Sequence, residues 1–329
     1  MYFFGLDQGG SKSQAAICDE LGNFTGAATG DAATFYLRDP ENNSTAIARR
    51  LTDEIFAGAG LPNARIAAAC GGLSGLDWPH EIPIFEERLR SGLGVDRTTA
   101  VNDSIIALRA GSSAPNRCIV VAGTGLNIAT HSEDGTEYTY GYYLPYRLGG
   151  GAALGWAVID AVIEAHVGVR PPTLLTDVTL KLSGCANVGD FLTKFTNDRL
   201  SQFRHQFLYP GLVESAVAGD DAANEIIAYF VEKLTLFLEN ALTRHLVSAD
   251  NAELVFSGGV FKGVGRFVAD SLTRALAPKF PRLTFVNARL EPVCGALLMI
   301  LDQHYSNNIP PHVIDNFEAG AAKHNLLRN

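Results

Sequence analysis

Three apolar strands in this chain each run straight into a glycine turn, and nothing else in the sequence restricts the fold as much. The turns are Asp7-Gln8-Gly9-Gly10-Ser11-Lys12, Ala122-Gly123-Thr124-Gly125 and Ser257-Gly258-Gly259-Val260. In open α/β sheets, ligands gather at the carboxyl ends of strands. Glycine there lets backbone N–H groups approach an anion closely, and Ser or Thr adds a hydroxyl donor. A single turn of this kind is ordinary turn geometry, but three spread along the chain are a much stronger sign of a site for an anion. The GxxxxGK[ST] loop and the GxGxxG turn opening a helix are absent. The first two turns lie instead between antiparallel strands, so a hairpin would hold the phosphate.

The elements around the turns occur twice. Tyr2 to Leu6, Ser13 to Cys18 and Asn23 to Ala28 read as strands, the last two joined in a hairpin by "DELGN". Asn42 to Phe56 carries helical spacing, "RIAAACGG" reads as a strand buried on both faces, and "TAVNDS" is a strand end followed by a helix through Arg109. "NRCIVVAGTGLNIATHSEDGTEYTYG" then begins the same order again, with a helix from Ala152 to His166 after it. "AELVFSGGV", a helix to Ala275, "LTFVNA" and a helix from Pro292 to His304 close it. The halves match in pattern and not in letters. The expected fold is α/β, with two duplicated domains and a cleft between them. The expected boundaries are 1–104 and 105–305, with a helical insertion at about 171–248 in the second. The tail, 306–329, has prolines and then a short helical pattern, and is expected to lie back on the first domain.

Composition narrows the class. The 329 residues can bury two cores, and 47% apolar with 19% charged residues fits a soluble globular protein. A net charge of −9 argues against nucleic acid and against anionic membrane surfaces as partners. The five cysteines (Cys18, Cys70, Cys118, Cys185, Cys294) show no CxxC spacing, and four lie in apolar segments. That pattern suggests buried free thiols in a reducing compartment. "MYFFGLD" lacks a basic leader and no apolar run approaches ~20 residues, so a cytoplasmic location is expected.

"LDQGGSKS", "NDS", "VAGTGLNIA", "FSGGV" and "EPVCGALL", in that order, resemble the phosphate-1, connect, phosphate-2, adenosine and second connect elements of the actin/hexokinase/heat-shock chaperone superfamily. Within it the chain resembles the BadF/BadG/BcrA/BcrD ATPase family, in the branch that includes N-acetylglucosamine kinase. The resemblance covers roughly residues 2 to 304. It implies two ribonuclease H-like (actin-like ATPase) domains, ATP and magnesium (Mg2+) as cofactors, and transfer of the γ-phosphate to a sugar or amino-sugar hydroxyl, with a homodimer expected. Asp7 matches the aspartate that orients the metal. Gly9, Gly10, Ser11 and Lys12 match the β- and γ-phosphate turn, although Lys12 could equally face solvent. Gly123, Thr124 and Gly125 match phosphate-2, and Gly258 and Gly259 the adenosine loop. Asp103 matches the catalytic base; a strand-end carboxylate can accept the hydroxyl proton, and "NDSIIAL" also reads as a helix N-cap. Ser74, Gly75, Asn102 and Asn127 match positions near the sugar.

Two departures bear on the sugar. The family's "GDEGS" acids are replaced by Gly150 and Gly151 in "YRLGGGAALGW", with Arg147 upstream as a substitute contact. Phe35 stands about where an asparagine would hold hydroxyls. A site built for hydroxyls discriminates strongly, so the choice of sugar is open. Two alternatives stay open as well. One is an ATPase that activates a partner through an interfacial iron–sulfur cluster, which needs surface cysteines. The other is a non-catalytic sensor of sugar or nucleotide.

Overall fold

Strand alternation builds both faces of the first sheet. The computed structural model describes residues 1–328 apart from 37, 38, 40, 41, 62, 63, 198 and 201. Five strands, β1 (Tyr2–Gln8), β2 (Ser13–Asp19), β3 (Phe24–Gly30), β4 (Ile66–Leu73) and β5 (Thr98–Asn102), lie in the order β3-β2-β1-β4-β5. The β1–β2 and β2–β3 pairs are antiparallel, and β1–β4 and β4–β5 are parallel. The second sheet repeats the plan with β6 (Arg117–Ala122), β7 (Leu126–His131), β8 (Glu137–Thr139), β9 (Glu253–Ser257) and β10 (Thr284–Asn287), in the order β10-β9-β6-β7-β8. The duplication read from the sequence is therefore real at the level of strand order and direction.

The helices are α1 (Ser44–Gly58), α2 (Ile82–Leu93), α3 (Asp103–Gly111), α4 (Gly151–His166), α5 (Leu175–Ser183), α6 (Val188–Thr196), α7 (Tyr209–Val217), α8 (Asp221–Arg244), α9 (Arg266–Leu276), α10 (Pro292–His304) and α11 (Pro311–Lys323). Because side chains alternate along a strand, Phe4, Leu6, Ala15 and Ile17 enter a core with α1 and α2. Phe3, Ala16, Cys18 and Cys70 enter another with α10 and α11. The second sheet has the same arrangement: one face meets α4, α7, α8 and α9. Its other face meets α3, through Ile105, Ala107 and Leu108 against Ile119, Ala129 and Val255.

The two helices between the sheets are thus exchanged relative to chain order. The helix that ends the first repeat, α3, covers the second sheet, and α10 covers the first. They cross at Gly295, where a Cβ would stand 1.8 Å from the Ile106 carbonyl oxygen. A two-pronged ion pair fastens the crossing, with Arg109 Nε 2.6 Å from Asp302 Oδ2 and Nη2 3.0 Å from Oδ1. The expected 104/105 boundary falls inside α3. Helix α11 seats Phe317 against Phe24, ring centroids 4.9 Å apart, and beyond it Leu327 forms a β-bridge with Leu290.

β1 extends two residues past the Leu6 end predicted from apolar pattern alone. Gln8 is fully buried and its amide Nε2 donates to the Ser44 carbonyl at 3.1 Å, so a polar residue completes the strand by tying it to the start of α1. The parallel strands β1, β4 and β5 all end on one side, which delivers the first glycine turn, Ser74 and Asp103 to a common edge.

Candidate active site

Two carboxylates occupy that edge. Asp7 is the next-to-last residue of β1, and Asp103 is the first residue of α3. Burial pushes the Asp7 carboxyl up to about 7, the Asp103 charge adds to it, and Arg328 and Lys12 pull it back down. Burial likewise raises Asp103 to about 6, reinforced by Asp77 and opposed by backbone N–H donors at the start of α3. Both shifts follow from crowding negative charge where water is scarce. Opposite Asp7 in the β1–β2 pair stands Gln14, whose buried Oε1 has no hydrogen-bond partner among the described residues. A hydrated cation suits this set: Asp7 supplies a hard anionic oxygen, and Gln14 an acceptor for a coordinated water. Among the described residues no three His, Cys, Asp or Glu side chains form a metal cage.

Next to the carboxylates, a chain of amides joins the two halves. Asn102 caps α3 with Oδ1, accepting from the Ser104 N–H at 2.9 Å and from Ser104 Oγ at 2.5 Å. Its Nδ2 donates to Asp77 Oδ1 at 2.8 Å. From the second sheet, Asn127 Nδ2 donates to Asn102 Oδ1 at 3.1 Å, and Asn127 Oδ1 accepts from the Gly141 N–H at 2.9 Å. Asn102 therefore serves as the helix cap and Asp103 stands free of that duty, which separates the two readings "NDS" allowed.

The glycine turns divide into open and filled positions. An added Cβ at Gly10, Gly123, Gly125 or Gly259 would meet nothing within 4 Å. Among the described residues no hydrogen bond occupies the amides of Gly10, Ser11, Thr124 or Gly125, so these donors are available to an anion. Gly9 closes its own turn, donating to the Lys12 carbonyl at 3.0 Å. Gly258 is different: its φ is +100°, and a Cβ would lie 2.3 Å from the Ala122 carbonyl oxygen. Lys12 is exposed, with Nζ 3.9 Å from Glu291 Oε2.

On the sugar side, Ser74 donates its backbone N–H to Gln8 at 2.8 Å, and Gly75 takes φ +80° beside Tyr36. Phe35 is 4% exposed and sits in the first core, so its neighbour Tyr36 is the exposed member of the pair. Gly150 abuts the second glycine turn, where a Cβ would stand 2.1 Å from the Gly125 carbonyl oxygen. The Gly151 N–H donates to the Gly123 carbonyl at 2.7 Å. The missing acids thus go with a helix start drawn tightly onto that turn. Arg147 is exposed, beside Tyr146, which is 96% exposed.

Several residues here went unread in the sequence. Asp77 and Trp78 follow Ser74-Gly75 in the same loop, which Glu81 holds by accepting from both of their N–H groups at 3.2 Å. Burial and Glu81 raise the proton affinity of Asp77. Trp78 stacks on Tyr142 (centroids 6.1 Å, planes at 16°) and meets Tyr143 edge-on at 5.7 Å, making an aromatic wall beside the amide chain. Asp77 and Trp78 stand two and three residues after Gly75 in "GLSGLDW", within reach of a sequence reading. Arg328, whose Nη1 donates to Ser257 Oγ, had no local signal at all.

Comparison with known proteins bears on the family and the fold. The model of the BadF/BadG/BcrA/BcrD ATPase family matches residues 4–299. An N-acetyl-D-glucosamine kinase of Dictyostelium discoideum is 23% identical over 313 residues, covering 91% of this chain and 98% of that protein. An N-acetylmuramic acid/N-acetylglucosamine kinase of Clostridium acetobutylicum is 22% identical, covering 91% and 97%. Among solved structures, a proposed N-acetylglucosamine kinase from Chromobacterium violaceum superposes with a TM-score of 0.69 at 22% identity, covering 91% of this chain and 98% of that one. A ROK family glucokinase from Streptomyces griseus, in complex with glucose and AMPPNP, gives 0.55 at 16% identity, covering 91% and 99%. At these identities the structures speak for the fold: two actin-like ATPase domains.

Proposed function

The chain belongs to the BadF/BadG/BcrA/BcrD ATPase family, and from that premise we propose that it is an ATP-dependent kinase acting on a sugar or amino sugar. The observation that carries the proposal is Asp103: a partly buried carboxyl at a helix start, with proton affinity raised to about 6, and no capping duty. A general base works best with a proton affinity near the working pH, and this one is ionised at neutrality yet basic enough to accept a hydroxyl proton. The free amides of Gly10, Ser11, Thr124 and Gly125 receive the phosphate chain from two sides, while Gly259 leaves room for the nucleoside and Gly258 lets the turn pass close to Ala122. Asp7 would hold the magnesium ion, with Gln14 accepting from its water; the bound ion supplies charge to offset the phosphate oxygens.

The sugar's place is the space bounded by Asp103, Asn102, Asn127 and the Trp78–Tyr142 wall. Aromatic faces suit the apolar face of a pyranose, and the amides suit its hydroxyls. An amino sugar is favoured by the names of the two relatives. The activator alternative needs exposed thiols, and all five cysteines are buried. The deciding experiment is magnesium-dependent ADP release across N-acetylglucosamine, glucosamine, N-acetylmuramic acid, N-acetylmannosamine and glucose. Turnover is expected on an amino sugar. A chain that binds nucleotide and turns over none of them would be a sensor, and the kinase reading would fall.

A further inference from the structure

We propose that Arg328 is a working part of the nucleotide site, a guanidinium that grips the phosphate chain between the first and third glycine turns. This rests on the nucleotide reading above and adds a residue outside the matched family segment, which ends at 299.

The backbone fixes where this side chain goes. Leu327 bridges Leu290, the Glu291 N–H donates to Leu326 at 2.8 Å, and the Arg328 N–H donates to Arg289 at 2.7 Å. The segment is thereby clamped along the chain leading into α10. Its guanidinium reaches the cleft: Nη1 donates to Ser257 Oγ, directly before Gly258-Gly259. Nε lies 3.4 Å from Glu291 Oε1, and Nη2 lies 3.5 Å from Glu291 Oε2. Lys12, from the first turn, reaches the same carboxylate at 3.9 Å. A cation of the first turn and one of the C-terminal segment therefore share one anion, and Arg328 is only 14% exposed.

That arrangement is incomplete in a telling way. Nε is buried, and among the described residues its 3.4 Å approach to Glu291 is an ion pair without hydrogen-bond geometry, so the fork holds that carboxylate only loosely. A guanidinium presents parallel N–H groups that match phosphate oxygens, and charge-assisted bonds of this kind are the strong ones. A phosphate chain entering between Gly10 and Gly259 would meet Lys12 on one side and Arg328 on the other. It would take both from Glu291, which holds the two cations in register until then.

The test is a set of titrations of the full-length chain with adenosine, ADP and AMPPNP, in the wild type, Arg328→Ala and Arg328→Lys. Arg328→Ala should weaken ADP and AMPPNP by roughly tenfold to a hundredfold and leave adenosine within about twofold, because only the phosphates lose a partner. Arg328→Lys should recover part of the loss. Equal weakening of all three ligands would mean a purely structural strap, and unchanged or tighter ADP binding would mean no grip at all; either overturns the proposal. Should Arg328→Ala fail to fold, Arg328→Gln against Arg328→Lys makes the same comparison. A wild type that binds no nucleotide would overturn the kinase reading itself, whereas a wild type that binds as well as the variants overturns only the role of Arg328.

Discussion

The two halves share one five-stranded plan, yet they equip the cleft differently. Asp7, Asp77 and Asp103 all come from the first repeat, at or just past the ends of β1, β4 and β5. The second repeat presents Val121 at the position in its first hairpin that corresponds to Asp7, and Asn127 where the first has Gln14. It contributes glycine turns, an amide and aromatic rings. Duplication supplied matching strand ends, and charge was placed on one side only. Two facing sets of buried aspartates would repel each other across the cleft, while one set faces neutral donors and leaves its unmet charge for a cation.

Substitutions that swap properties between the halves should expose this division. Asp103→Asn should lower turnover by about 10²–10⁴-fold while AMPPNP titrations stay near wild type, since it removes proton acceptance and little else. Asn127→Ala, from the neutral half, should raise the sugar KM about tenfold with the ADP affinity unchanged; equal losses in both would blur the two sides. Gly258→Ala should cost roughly 2–4 kcal/mol in urea unfolding because its φ of +100° and the nearby Ala122 carbonyl leave no room. Gly259→Ala, opening onto space, should stay within about 0.5 kcal/mol.

The smallest effects are in pH. The rate should rise through about pH 6 as Asp103 ionises, and Asp77→Asn should move that limb to lower pH by removing a neighbouring negative charge. Stability without ligands runs the other way. The folded chain holds protons on Asp7 and Asp103 more tightly than the unfolded chain does, so stability falls as pH rises from about 4 towards 7. Thermal unfolding at pH 5 and pH 8 checks this, and Asp7→Asn should flatten the difference. A steeper fall in that variant would contradict the buried-carboxylate picture.

The succession of strands along the chain, both hairpins and the three glycine turns were legible because each is a local pattern of apolar runs and turn residues. Asp7 and Asp103 were legible as strand-end carboxylates. The amide chain was not, since Asn102 and Asn127 meet only after two sheets have been set side by side. Nor could periodicity show that α3 and α10 cover each other's sheets: both helices are apolar on most faces, and a pattern buried all round names no partner. Glu81, at the cap position of α2, clamps the Asp77–Trp78 loop, a contact that no local pattern announces. Arg328 and Ser257 are 71 residues apart, and their meeting depends on a single β-bridge.

The exchanged helices also set an order of events for the growing chain. The first sheet is complete by residue 102, but one of its faces, with Phe3, Ala16, Cys18 and Cys70, stays uncovered until residues 292–304 arrive. A fragment ending at 104 would carry that apolar face into solvent, and the long loop that separates sheet from helix slows closure. During synthesis the first half must wait, exposed, for nearly the whole of the second, which makes it the part of the molecule with most need of a chaperone.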